Sequence, residues 1–545
     1  MTTPIGQRPR RLALVAHAIA TFLAFPQELP FGGAIDLGLL FVWLVPATLV
    51  LGIDGLTPGR AARAAFLASL AGHALLFHWF FVVTVVYGGM PWGLGLLAPL
   101  LPALFVSLFT AAFAALWAWL GSRAEGVGGV VLGAALWVSL DWIRAHILGG
   151  FPWATLGYAL HLDLPLLGIT RWTGVYGLSF VAVALGLALA RALPADGRRA
   201  AGARRVAGGV AIAVVLAHGL GLLLQSAEPG VVEEVRIAAI QGNIDQREKW
   251  SEGRREQILG TYTRSSEEAV GLGAQWIVWP ETAVPGLLEA DPALSARIGR
   301  LVRRSRADFI VGGMGIKPDA TGRRILAFFD SAFVLDRRGR VVDRYDKTQL
   351  VPFGEFVPLR GLLGHVFQAL ATGMASNDVT PGRAPRVSLI DAGPNARPPL
   401  RVGIPICYEL IFPHLVRRFA AEGAGVLLAI TNDAWYGRTG APHQFLAMTA
   451  LRAAENGRWV VRAANTGISA IIDARGRVRE RTPLFEGAVL VGDVPVVRAG
   501  GLTFYARHGD VFAWSCLGLV LARMAWVLIN GGRIRLARRR EGRIR

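Results

Sequence analysis

The sequence predicts a multi-span α-helical membrane domain of eight helices joined to an α/β domain. Three observations predict it. Long apolar runs fill the first 225 residues and return near the end. A middle stretch of higher charge alternates short β-type runs with helical ones. Basic residues collect beside the apolar runs instead of forming one separate patch. A chain of 545 residues that is 53% hydrophobic and only 17% charged is too long for one ordinary core and too apolar for a wholly water-exposed surface.

Taken in order, apolar runs cover residues 12–26, 37–53, 64–87, 92–120, 127–143, 172–190 and 206–224. Most approach or exceed the roughly 20 residues a helix needs to cross a bilayer. The first is short and follows Arg8, Arg10 and Arg11. No small-x-small cleavage site follows it, so it reads as a retained helix. From 226 to 510 the pattern changes. Residues 235–244, 275–279, 309–313, 331–335, 401–406, 426–431, 459–463 and 468–473 read as strands, and 251–272 and 443–456 as helices. Several strands are apolar on both faces, as expected for strands buried between layers. Residues 511–530 form an eighth span, interrupted by Arg523, and a basic tail follows. The expected division is 1–225, 226–510 and 511–545.

The net charge of +19 is read through its placement. Arg8, Arg10, Arg11, Arg60, Arg63, Arg123, Arg191, Arg198, Arg199, Arg204 and Arg205 fall in alternate loops, and seven arginines crowd 533–545. By the positive-inside bias the N-terminus and the tail lie in the cytoplasm and 226–510 lies outside. The charge is thus assigned to membrane orientation and anionic headgroups, and no nucleic-acid partner is expected. The two cysteines, Cys407 and Cys516, sit in different settings, and no disulfide is expected between them.

Three reactive residues stand in distinctive surroundings: Glu281 in Trp279-Pro280-Glu281-Thr282, Lys347 in Tyr345-Asp346-Lys347-Thr348, and Cys407 in Ile406-Cys407-Tyr408-Glu409. A carboxylate, an ammonium and a thiol suffice for acyl transfer through a thioester: base, oxyanion donor and nucleophile. Taken singly, each has an ordinary reading as a loop charge or a packed thiol. Taken together, Trp279 is expected to desolvate Glu281 and raise its pKa, and Lys347 to lower that of Cys407. Asp141 and Arg144 are spaced to pair on one helix face, with a phospholipid phosphate as the alternative partner for Arg144. His73, His78 and His218 lack metal-ligand spacing and read as packing or helix–helix hydrogen-bonding residues. No motif points to a metal, nucleotide or redox cofactor.

The trio and its neighbours resemble the nitrilase, or carbon–nitrogen hydrolase, superfamily, in which a Glu-Lys-Cys triad sits in an αββα sandwich. The landmarks continue with Leu350-Val351-Pro352-Phe353-Gly354-Glu355 and Thr431-Asn432-Asp433-Ala434-Trp435-Tyr436-Gly437. Phe151-Pro152-Trp153, Gln241-Gly242-Asn243-Ile244, Lys249-Trp250 and Leu502-Thr503-Phe504-Tyr505-Ala506-Arg507 extend the likeness to its membrane-embedded branch, the apolipoprotein N-acyltransferases of bacterial envelopes. That resemblance implies an inner-membrane enzyme with its catalytic domain facing the periplasm. Cys407 would take the sn-1 acyl chain of a phospholipid, typically phosphatidylethanolamine. The resulting thioester would pass the chain to the α-amino group of a diacylated apolipoprotein. It implies accessory roles for Glu355, Glu409 and Tyr408 and substrate contacts for Trp250 and Trp435. The apolar stretch 359–374, with Leu362 and Phe367, reads as an arm dipping into the outer leaflet. Asp330 stands where the family often has asparagine, and no role is assigned to it. A membrane-anchored amidase and an inactive membrane scaffold are the competing readings.

Overall fold

The computed structural model describes residues 7–120, 126–193, 198–226, 230–249, 251–321, 324–357, 378–390 and 398–541. Trp250, Leu362, Phe367 and the 359–374 arm lie outside the described residues.

The principal helices of the first part are α1 (Gln7–Leu23), α2 (Leu44–Ile53), α3 (Pro58–Leu76), α4 (Leu100–Leu120), α5 (Gly126–Arg144), α6 (Val175–Ala192) and α7 (Arg198–Gln225). Five segments are long and apolar enough to cross a bilayer: Trp92–Leu120, Gly126–Arg144, Val175–Ala192, Ala201–Gln225 and Val511–Asn530. The other three expected spans are helical but fall short of that measure. α1 has 17 residues and opens on a run of arginines, and α2 has 10. The third run breaks: α3 stops at Leu76, and Val82–Tyr87 forms a separate π-helix. Eight crossings are therefore not established. His73 bonds Ser107 of α4 (3.2 Å) and His218 bonds Asp163 (2.9 Å), whereas His78 is exposed and bonds Leu75 in its own turn.

The α/β domain has two six-stranded sheets. The first runs through β1 (Val231–Gln241), β2 (Trp276–Val278), β3 (Asp308–Pro318), β4 (Ile325–Leu335) and β5 (Val341–Asp346). The second contains β6 (Val387–Ile390), β7 (Leu400–Gly403), β8 (Val426–Thr431), β9 (Val460–Ala464), β10 (Ala470–Ile472) and β11 (Val478–Arg481). β12 (Ala488–Ala499) returns to pair antiparallel with β1 and forms an edge of the first sheet. Side chains alternate across β1. Ile237 and Ala239 face the core shared with the second sheet, and Ala238 and Ile240 face helices α8 (Arg255–Gly271) and α9 (Pro292–Ser305). Helices α10 (Pro413–Ala421) and α11 (Ala441–Asn456) pack on the second sheet, completing the αββα layers. The final helix, α12, spans Val511–Glu541.

Strands β5, β6, β11 and β12 and helices α9 and α10 go beyond the sequence reading. β5 and β11 are short and rich in charge, and β12 carries Pro495. All three lie at sheet edges, where a missing N–H or an exposed charge is tolerated.

Hydrogen bonds join the helical part to the α/β domain. Trp142 Nε1 donates to Asp510 (3.0 Å), Trp153 Nε1 to Gln444 (2.8 Å), Tyr158 Oη to the Ile411 carbonyl (3.2 Å) and the Val175 amide to Glu455 (2.8 Å). The π-helix reaches the same region, with the Tyr87 ring 5.7 Å from that of Trp435.

Candidate active site

Strand ends deliver the three reactive residues to one place. β2 ends at Val278, and three residues later the chain presents Glu281. β5 ends at Asp346, immediately before Lys347. Ile406 bridges to Ile430 of β8, and Cys407 opens a 3-10 turn, Cys407–Ile411. Thr282 (φ 46°) and Cys407 (φ 48°) both adopt the left-handed region, which costs a non-glycine residue of order 1–3 kcal/mol. The surrounding hydrogen bonds hold both turns in that conformation.

Lys347 is fully buried, and its Nζ donates to Glu281 Oε1 (2.8 Å), Glu355 Oε1 (2.5 Å) and Asp330 Oδ2 (3.2 Å). Its three N–H bonds therefore all meet carboxyl groups. The same three acids could surround a metal ion, but the ammonium already occupies their centre. The Lys347 amide also donates to the Asp330 carbonyl (2.8 Å), so pairing of β4 with β5 sets Asp330 beside the lysine.

Cys407 and Glu281 are both buried in this cluster and close enough for the Glu281 charge to act on the thiol, as a nucleophile and its base require. Burial raises the proton affinity of Glu281, but the Lys347 charge and hydrogen bonds from Asp330, Lys347 and Cys407 outweigh it and bring its pKa down to about 2. Burial pushes the Cys407 thiol well up; Glu281 adds to this, and Lys347 offsets only part. Both directions correct the sequence expectation. Trp279 points away from the site, stacking on Tyr262 (4.8 Å) and donating to Ser266 (3.0 Å), so it forms no wall beside the carboxylate. Lys347 is shared among three acids and has little charge left for the sulfur. The resting pair is a neutral thiol and a carboxylate.

Glu409 ties the cysteine turn to the lysine strand. Its Oε1 accepts from Tyr345 Oη, the Thr348 amide and the Thr348 hydroxyl, each at 2.7 Å, and its Oε2 accepts from the Ile406 amide at 2.7 Å. Burial raises its proton affinity despite those donors. Glu355 also accepts from the Val351 amide (2.9 Å), which fixes it against Lys347. Tyr408 is buried and packs edge-on against Phe412 (5.2 Å). Trp435 meets Tyr87 of the helical part, and its neighbour Tyr436 meets Trp79 (5.0 Å) and Trp153 (5.9 Å).

Lys249 and Asp330 belong to the site without having been assigned a part in it from the sequence. Lys249 Nζ donates to the Glu281 carbonyl (3.0 Å) and the Thr282 hydroxyl (2.6 Å), bracing the strained glutamate turn. Burial lowers its pKa to about 8, with Glu281, Asp330 and Cys407 offsetting part of the shift. Its position next to Trp250 in the phrase that opens the domain was the available signal. Asp141 and Arg144 do pair (3.0 Å), but Arg144 turns into the protein, onto the Phe151 and Trp153 carbonyls and Thr155, and not toward lipid phosphate.

The carbon–nitrogen hydrolase family profile matches residues 236–502, and that of the apolipoprotein N-acyltransferase N-terminal domain matches residues 17–188. The apolipoprotein N-acyltransferase of Geobacter metallireducens is 38% identical over 530 residues, covering 95% of this chain and 96% of its own. That of Methylococcus capsulatus is 33% identical over 514 residues, covering 93% of each chain. That of Azotobacter vinelandii is 32% identical over 525 residues, covering 95% of this chain and 94% of its own.

Proposed function

This chain belongs to the apolipoprotein N-acyltransferase family of bacterial membrane enzymes, and we propose that it N-acylates lipoproteins in two steps through Cys407. The observation that carries this reading is the burial of Glu281, Lys347 and Cys407 together, with the Lys347 ammonium donating to the Glu281 carboxylate at 2.8 Å.

In the first step Glu281 takes the thiol proton as Sγ attacks the sn-1 ester carbonyl of a phospholipid. The resting proton affinities favour the neutral thiol, so proton transfer accompanies attack and no free thiolate precedes it. Negative charge moves from sulfur to the carbonyl oxygen. Lys347 meets it by releasing its longest contact, to Asp330 at 3.2 Å, in favour of the oxyanion. Collapse breaks the C–O bond, and the lysophospholipid alkoxide leaves with the proton from Glu281. In the second step the α-amino group of an S-diacylglyceryl cysteine attacks the thioester. Glu281 takes the amine proton, the C–S bond breaks, and the proton returns to Cys407. A single nucleophile serving two lipids in turn gives ping-pong kinetics.

We place the enzyme in the inner membrane with residues 226–510 facing the periplasm, on the arginine bias of the loops and of the tail. Phosphatidylethanolamine is the proposed donor, and the proposed division of the chain remains 1–225, 226–510 and 511–545. Incubation with phosphatidylethanolamine vesicles should add one acyl mass to the intact protein at Cys407, and a diacylated lipopeptide should then remove it. Acylation that water discharges but the lipopeptide does not would instead support an amidase-type hydrolase. No acylation at all would support a scaffold.

A further inference from the structure

The Lys347 cluster holds more acid than one ammonium can neutralise. Glu281, Asp330 and Glu355 all reach the same Nζ, and they differ in how many other donors they receive. Glu355 accepts from Lys347 at 2.5 Å on one oxygen and from the Val351 amide at 2.9 Å on the other. Glu281 accepts from Lys347 at 2.8 Å. Asp330 receives only the longest Lys347 contact, at 3.2 Å, and its buried Oδ1 has no conventional donor. Yet one oxygen from each of Glu281, Asp330 and Glu355 lies within 4.8 Å of the others. Three buried carboxyl groups packed this closely around one ammonium carry more negative charge than it can cancel, which favours a proton on one of them.

We propose that Asp330 is a positioning residue that holds this proton in the resting site and donates it to Glu281. The donor count selects it: a carboxylate that accepts two good hydrogen bonds keeps its charge, and the one left with the fewest takes the proton. The charged groups around Asp330 are Glu281, Glu355, Lys347 and the more distant Lys249. With Asp330 neutral, two carboxylates face two ammonium groups and the cluster balances. Burial lifts the proton affinity of both Asp330 and Glu355. The Asp330 O–H fixes the Glu281 carboxylate in the rotation that leaves a lone pair for the thiol. It also lets Lys347 leave Asp330 for the oxyanion without stranding a third negative charge.

The inference rests on Glu281 acting as the base for Cys407, and its test includes a measurement that needs no turnover. The full-length enzyme in detergent should show the infrared carbonyl band of a buried protonated carboxylic acid that is missing in Asp330→Asn. In single-turnover acylation, Asp330→Ala should lose on the order of 10²-fold through misplacement of Glu281, and Asp330→Asn, whose amide can still donate, should run at least about tenfold faster than Asp330→Ala. Absence of the band from the wild type overturns the proposal. So does an equal loss in the Asn and Ala variants, or an Ala variant as fast as the wild type. If Glu281→Gln acylates at the wild-type rate while the band persists, the base assignment has failed and the protonated Asp330 has not.

Discussion

The Lys347 cluster and the Arg144 cluster are both buried cations facing carboxylates, and they are built differently. Arg144 has one carboxylate, Asp141 at 3.0 Å, and spends its other donors on neutral partners: Thr155 and the carbonyls of Phe151 and Trp153. Lys347 has three carboxyl groups and no neutral partner. A pair of one acid and one cation is balanced in charge and can only position what it touches, here the loop that lays Trp153 against Tyr436 and Gln444. An oversupplied cluster has a proton to place, and so it can exchange one. Burial alone does not separate structure from chemistry in this protein; the ratio of acids to cations does.

The comparison is broken first by removing the group that the oversupplied cluster serves. Cys407→Ala should abolish the thioester, measured by intact mass, while leaving thermal unfolding close to that of the wild type. Persisting acylation would place the nucleophile elsewhere. Next in size, Glu281→Gln and Lys347→Met should each lower single-turnover acylation by at least about 10²-fold, the usual scale for losing a base or an oxyanion donor. A loss under about threefold in either would mean that the cluster is structural after all.

The balanced cluster should respond in the opposite sense. Arg144→Met leaves Asp141 buried without its partner, and breaking a buried pair in this way costs about 3–5 kcal/mol. The expected outcome is a large loss of thermal stability and yield, with acylation per folded molecule falling far less than in Glu281→Gln. Replacing both partners, Asp141→Leu with Arg144→Met, should recover most of the stability, because no charge is then stranded. If the single variant is as stable as the wild type but catalytically dead, Arg144 works on substrate and the contrast between the clusters collapses.

The sequence made one of these clusters far more legible than the other. Glu281, Lys347 and Cys407 each follow a strand or apolar run in a phrase of its own, and their convergence was readable from the phrases. Asp330 was visible only as a departure from the family's asparagine, and nothing local gave it a role. It joins the site only through the antiparallel register that sets Ser331 opposite Asp346 and so brings Asp330 beside Lys347. The proton affinities were misjudged for a related reason. Trp279 precedes Glu281 in sequence, yet its ring belongs to the layer of α8, where it stacks on Tyr262. Adjacency in the chain says little about which face of a sheet a side chain serves. In the helical part, apolar length was legible, but the break between Leu76 and the π-helix Val82–Tyr87 was not, because its residues are as apolar as those of a continuous span.

The smallest expected effect sharpens the comparison with a cation that has no bonded carboxylate. Lys249 donates to the Glu281 carbonyl and the Thr282 hydroxyl, and burial brings its pKa from 10.5 to about 8. The sign follows from proton counts. Between about pH 8 and 10.5 the unfolded chain binds more protons at this lysine than the folded chain does, so its contribution to stability rises with pH through that window. Below it, the folded protein bears the full cost of a buried charge. Lys249→Met removes that cost but leaves the Thr282 turn unbraced. The variant's thermal stability relative to the wild type should therefore be most favourable near neutral pH and decline toward about pH 10, as the lysine of the folded wild type loses its proton while that of the unfolded chain still holds it. The check is thermal unfolding of both proteins in detergent across that range. A difference independent of pH would mean that Lys249 is solvated in the folded protein, and that it acts neither as a buried cation nor as a counter-charge to the three acids around Lys347.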